Sequence, residues 1–396
     1  MEGDFVKYKI LIILMISSFI TVGCSNTSTL SEEEKLADFE QLYNTVKEGY
    51  PFLEVSKRQN KEDWLANKES YKEYVMNSSS DQDFANKLNN ILSDLHNSHT
   101  EVINNREWFN TLKEIYEPLG WYDFFDDKDV NDMYESLRKD TEFGDENFKD
   151  IELKDLVEGK IGYIYIPQMN SANGSIDNDM KKIGSYLEKI QDYQSLVINI
   201  RGNPGGDDEY WTKLVSLIAD KDYKCKGYRL FRNNSDVINN YTKVRNVKLN
   251  DISELPKDVF DNAPKEVTSM FTHFEYNEEI VEGKSKTPFK GKIYLFVDDL
   301  VFSGAESFSI FCKEQNFATI IGTKTMGDGY VYDPVLFKLN NSGLIVRMAS
   351  TMYLTESGIC DEEEKVTPDI DIKNTKDNKP RLDDYIDKVL EIEKIK

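Results

Sequence analysis

Apolar residues along this chain keep two different rhythms. From Ser31 to about Asn105 they recur at three- and four-residue intervals, the spacing of one helix face. Phe39, Leu42, Tyr43 and Val46 follow the capping-box start Ser31-Glu32-Glu33-Glu34. Phe84, Leu88, Ile91, Leu92 and Leu95 form a second stripe, opened by Ser80-Asp81-Gln82-Asp83 and running out in His96-Asn97-Ser98-His99-Thr100. The spacing predicts a helical lead-in subdomain over residues 31–105, followed by a charged, aromatic-rich connector over 106–158.

The rhythm changes at Lys160. Ile161 to Ile166 reads as a strand, Ile176 to Ile190 as a helix, Leu196 to Ile200 as a buried strand and Asp207 to Ala219 as a helix. Such alternation predicts an α/β core over residues 159–396. Residues 233–287 are polar and poorly periodic and read as an insertion. Strand character returns in Lys292 to Val297, then a helix from about Ser303 to Glu314. Further strands are expected at Ala318 to Gly322, Val331 to Leu339 and Leu344 to Met352, and an amphipathic helix at Leu382 to Ile392. No internal repeat is visible.

Composition narrows the function. With 396 residues, 39% hydrophobic and 12% aromatic, the chain can bury a large core. A formal net charge of -23 repels phosphate backbones and argues against nucleic-acid binding. At the N-terminus Lys7 and Lys9 precede the apolar run Ile10 to Val22, which stops at Gly23-Cys24. That layout is a secretion signal, and the run is short for a membrane span. Thr21-Val22-Gly23-Cys24 resembles a lipobox. The expectation is a signal peptide over 1–23, a lipid on Cys24, a tether over 24–30 and an extracytoplasmic domain lipid-anchored to the bacterial cell membrane. Cys225, Cys312 and Cys360 remain, allowing at most one disulfide whose pair the sequence does not choose.

Two segments carry chemistry. Val301-Phe302-Ser303-Gly304-Ala305-Glu306 follows a buried strand, so Ser303 stands at a helix N-terminus, where backbone N–H groups can stabilise an oxyanion. Ser-x-x-Glu is equally a capping box, with Ser303 as the cap. Arg201-Gly202-Asn203-Pro204-Gly205-Gly206 also follows a buried strand. Its glycines suit an oxyanion hole, a plain tight turn or a phosphate cradle.

In order and context the two segments resemble the tail-specific (C-terminal-processing) serine peptidase family. The strand and loop Leu196 to Gly206, the strand and helix Lys292 to Glu306, Ile320 to Gly327 and Val366-Thr367-Pro368-Asp369-Ile370 carry the resemblance. It implies a crotonase/ClpP-like spiral core packed against the helical lead-in. It implies hydrolysis of protein or peptide substrates through an acyl-enzyme on Ser303, with Gly205, Gly206 and Gly304 as oxyanion donors and no cofactor. The connector is too short for the PDZ domain many members insert. Where many members place a lysine base, this chain has Asp328, and Lys324 lies four residues earlier. A second, tricorn-type branch takes a histidine base from a Ser-His pair in the lead-in, matched here by Ser98-His99, and orients it with a glutamate near the closing segment, for which Glu362 is the counterpart. His96 and His99 could share a metal on one helix face, but no further ligand set accompanies them, so none is expected. The alternative is a non-catalytic ligand- or peptide-binding lipoprotein on the same fold.

Overall fold

The computed structural model of the chain describes residues 30–138, 150–171, 175–232, 234–373 and 379–395. The expected signal peptide, Cys24 and all of the tether but Leu30 lie outside the described residues. Among the described residues no helix is long and apolar enough to cross a membrane.

The molecule is a mixed α/β protein with a helical N-terminal region and a central sheet of six strands. Ile370–Asp371, Thr319–Gly322, Lys292–Val297, Ser195–Asn199 and Ile161–Tyr165 lie side by side in parallel, and Glu152–Val157 closes one edge antiparallel. Side chains alternate across the sheet. Ile164, Ile198, Leu295 and Ile320 meet the helices Ile176–Lys189, Asp208–Ile218 and Gly304–Glu314. Tyr163, Val197, Tyr294, Phe296 and Ile321 pack the other way, against Tyr385 and Val389 of the helix Leu382–Glu393. Both faces are covered, which is why the central strands read as nearly unbroken apolar runs. Burying each large aliphatic side chain of this kind stabilises the fold by about 1.5–3 kcal/mol.

The helical lead-in forms as its periodicity predicts. Glu32–Gly49 starts on the Ser31 capping box and buries Phe39, Leu42, Tyr43 and Val46. Asp81–Ser93 is capped by Ser80 and buries Phe84, Leu88, Ile91 and Leu92. A small second sheet fastens this region to the core: Glu101–Val102 pairs antiparallel with Ile345–Met348, which pairs with Val335–Lys338. Arg58 adds a polar clamp, reaching Glu266 at 2.7 Å and Glu363 at 2.6 Å.

The segment read as a polar insertion is built into the fold. It contains the helix Asp236–Val244 and the strand His273–Val281. That strand pairs residue by residue with Tyr223–Phe231 in a four-stranded antiparallel sheet, between Asn250–Asp251 and Met352–Thr355 on its two sides. Its alternate residues are exposed, so a half-buried strand carries the charge that made it look like a loop. The connector likewise holds the helices Arg106–Tyr116 and Lys128–Ser136 and the edge strand Glu152–Val157. Cys225, Cys312 and Cys360 are free thiols, each buried.

Candidate active site

Three loops leave the carboxyl ends of adjacent parallel strands and converge, the usual place for a site in a sheet of this kind. The first carries Ser303. Its backbone has φ 56° and ψ -122°, a conformation that L-residues rarely adopt and that costs about 1–3 kcal/mol. The turn holds it there: Ser303 N–H donates to Gly327 O at 3.2 Å, and Phe302 N–H to Asn203 O at 3.2 Å. The hydroxyl caps nothing. Among the described residues it has no hydrogen-bond partner, so the capping-box reading of Ser-x-x-Glu does not hold.

The second loop is Arg201 to Gly206. Gly205 has φ +100°, and a Cβ there would lie 2.7 Å from Phe302 O and 2.8 Å from Gly304 N. Only glycine lets the loop press against the turn that carries Ser303. Gly205 N–H is already taken by Asn203 Oδ1, at 2.9 Å. Among the described residues Gly206 N–H and Gly304 N–H make no hydrogen bond, and both glycines line the cleft. Of the three expected oxyanion donors, Gly205 is therefore occupied, and Gly206 and Gly304 are open.

The third loop carries Asp328, itself at φ 62°, a region aspartate tolerates better than most residues. Its Oδ2 lies 2.6 Å from His99 Nδ1, and both residues are buried. A carboxylate oxygen can only accept, so Nδ1 carries the hydrogen and Nε2 is left as the basic nitrogen. The imidazole also packs on Phe302, the residue before Ser303, with ring centroids 4.6 Å apart. His99 gets here because the helix stops at Ser93, and the pairing of Glu101 with Arg347 pins the segment that follows. His96 takes φ 54° at this break and points to solvent, so the two histidines do not share a face.

Glu362, expected to orient the base, does not touch the imidazole. It approaches Asn97 Nδ2 at 3.4 Å, and the same nitrogen reaches Asp328 Oδ2 at 3.1 Å. The physical reason is position: Asp328 occupies the contact with Nδ1, and Glu362 lies one hydrogen bond further out. Burial, and next the Asp328 charge, push the Glu362 carboxyl well above the usual range. Glu306, expected to satisfy the helix start, instead accepts from Thr325 Oγ1 at 2.6 Å and Val366 N–H at 3.0 Å. Burial and the neighbouring Asp361 raise its carboxyl far above normal, and burial lifts Asp361 to about 7. Lys324 is exposed and remote from this cluster of polar side chains.

Ser303, His99, Asp328, Gly206 and Gly304 open into one cleft of about 660 Å³. Ile115, Tyr116, Leu119 and Trp121 of the connector line it with apolar surface, and Arg229 and Arg347 line it too. A larger groove of about 890 Å³ behind Asp361–Glu364 holds neither Ser303 nor His99. Among the described residues no cluster of His, Cys, Asp and Glu could hold a metal.

The sequence profile of peptidase family S41 matches residues 160–372, more than half of the chain. The chain belongs to peptidase family S41. As an S41 member it is a serine-type peptidase acting on protein or peptide substrates. Its fold is similar to that of mature CPAF complexed with lactacystin, at 12% identity and TM-score 0.57, covering 92% of this chain and 98% of that one. It is also similar to a peptidase-like protein from Parabacteroides merdae ATCC 43184, at 16% identity and TM-score 0.51, covering 87% and 91%. A photosystem II D1 C-terminal processing protease matches at 14% identity and TM-score 0.45, covering 86% and 93%. No curated protein is a sequence match.

Proposed function

We propose that this S41 member is an endopeptidase of the Ser–His branch, with Ser303 as nucleophile, His99 as general base and Asp328 as the carboxylate that orients it. The observation that carries this reading is the buried 2.6 Å contact between His99 Nδ1 and Asp328 Oδ2 in the cleft that holds Ser303. In this scheme Ser303 Oγ attacks the scissile carbonyl while His99 Nε2 takes its proton. Asp328 keeps the hydrogen on Nδ1 and stabilises the imidazolium. The tetrahedral oxyanion is met by the N–H groups of Gly206 and Gly304, the latter at the N-terminus of the helix Gly304–Glu314. His99 then protonates the leaving amine, and water hydrolyses the acyl-enzyme with the same base. Among the described residues Ser303 Oγ makes no hydrogen bond, and its contact with Nε2 is expected to form in the substrate complex, where catalytic hydrogen bonds commonly tighten.

The reading includes a crotonase/ClpP-like spiral for the core. It also includes an extracytoplasmic location for the domain, lipid-anchored through Cys24, on the strength of the Gly23-Cys24 junction. A labelled fluorophosphonate tests the mechanism: wild type is labelled on Ser303, and both Ser303→Ala and His99→Ala are not. An unlabelled wild-type serine sinks the proposal in favour of a non-catalytic binding protein. Mass spectrometry of the membrane-extracted protein tests the anchor, which fails if Cys24 carries no lipid.

A further inference from the structure

We infer that Asn97 is the positioning residue of this site, the single carboxamide that holds His99, Asp328 and Glu362 in register. The inference rests on the His99–Asp328 reading above.

Asn97 is buried, and its side chain has no spare hydrogen-bonding capacity. Nδ2 donates to Asp328 Oδ2 at 3.1 Å and to Glu362 Oε1 at 3.4 Å. Oδ1 accepts from the His99 backbone N–H at 3.0 Å and from Thr100 Oγ1 at 3.2 Å. Thr100 Oγ1 in turn accepts from Ala349 N–H at 3.1 Å, tying the junction to the core. Two donors and two acceptor sites are all an asparagine side chain offers. The orientation is fixed by its neighbours, because turning the amide over would set its oxygen against the Asp328 carboxylate and its NH2 against the His99 N–H.

No other side chain of this size does the same work. Aspartate would keep the bonds to His99 and Thr100 but lose the donor to both acids and set a carboxylate against Asp328. Serine would keep the turn but cannot bridge two acids. The bridge matters because Asp328 Oδ2 is shared: the oxygen that orients the imidazole is the one Asn97 holds. Among the described residues the other Asp328 oxygen, Oδ1, and Glu362 Oε2 are buried without a hydrogen-bond partner. Tyr50, Cys360, Asp361 and Lys365 are further titratable groups that act on Glu362 and its surroundings.

The test uses the full-length enzyme with Asn97→Ser and Asn97→Asp, each keeping an oxygen for the turn. Ser303→Ala and His99→Ala are measured alongside. Expected are a native circular dichroism spectrum, a KM within threefold of wild type and a kcat lower by about 10- to 100-fold, the scale for losing an outer partner of a functional histidine. The deshielded Nδ1 proton of His99, assigned by its loss in His99→Ala, should move towards the free-imidazole position or exchange away. A purely structural asparagine would leave that resonance in place in whatever fraction stays folded. If His99→Ala is as active as wild type, the catalytic reading and this inference both fall. If His99→Ala is inactive while the Asn97 variants keep kcat within threefold, or lose it with the Nδ1 resonance unmoved, only this inference is overturned. Failure of both Asn97 variants to fold overturns it too, since the residue is then merely structural.

Discussion

Replacing Asp328 by asparagine removes one charge from the site and almost no volume. Asp328 Oδ2 accepts from both His99 Nδ1 and Asn97 Nδ2, so the new carboxamide has two ways to sit. With its oxygen towards Nδ1 the geometry survives and the negative charge is gone. At a 2.6 Å contact that charge lies roughly 4 Å from the centre of the imidazolium formed during attack. With an effective dielectric of about 20, it contributes about 4 kcal/mol, or about three decades of rate. With its NH2 towards Nδ1, the imidazole must carry its hydrogen on Nε2 and cannot take the Ser303 proton, a loss of about four decades in enzymes of this logic. Either way kcat for a fluorogenic peptide should fall by about 10³- to 10⁴-fold, with KM and the melting temperature near wild type. Fluorophosphonate labelling of Ser303 should slow in parallel. An Asp328→Asn enzyme within tenfold of wild type, folded and normally labelled, refutes the assignment of Asp328 as the partner of the base.

Lys324→Ala should keep kcat within threefold, because the side chain points to solvent; a thousandfold loss would make it the base in place of His99. Gly205→Ala should lower the melting temperature and abolish labelling, since its Cβ falls 2.7 Å from a backbone oxygen at φ +100° and the nucleophile turn must move; an unaltered labelling rate contradicts that packing. Asp361 gives a pH prediction for stability. Its carboxyl binds its proton more tightly folded than unfolded, rising from 3.8 to about 7, so its contribution is greatest below about pH 4 and is lost as pH climbs through 7. Asp361→Asn should flatten that fall in a series of thermal melts between pH 4 and 7, and an identical pH dependence in the two proteins would contradict the shift.

The parts of the site legible in the sequence are those built locally. A buried strand, a sharp turn and a helix start surround Ser303 within a dozen residues, and the same holds for the loop ending at Gly206. His99 was reachable because the chain has only three histidines, and one of them lies in the Ser-His pair. Asp328 was in view, but as a lysine position filled by the wrong residue. Its contact with His99 spans 229 residues of sequence, and no local pattern signals it. Glu362 is named by the resemblance alone, since an acidic run looks solvated until the fold buries it, and Asn97 at a polar helix end gives no signal of its own. Expecting Ser303 as a possible cap was reasonable from Ser-x-x-Glu spacing, yet backbone strain turns the hydroxyl away. The strand His273–Val281 escaped detection because its partner Tyr223–Phe231 is remote in sequence and its outer face is charged.

The small sheet that joins Glu101–Val102 to Ile345–Met348 has a consequence for the life of the molecule before it is complete. His99, the base of the proposed mechanism, belongs to the first quarter of the chain, but the strand that pins its segment and the carboxylate it contacts are made near the end. A chain growing from its N-terminus, or threading out through a narrow passage, therefore carries a histidine with nowhere to dock and, later, a serine with nothing to activate it. On the proposed mechanism, hydrolytic power arrives only once the strand Ile345–Met348 is free to pair with Glu101–Val102.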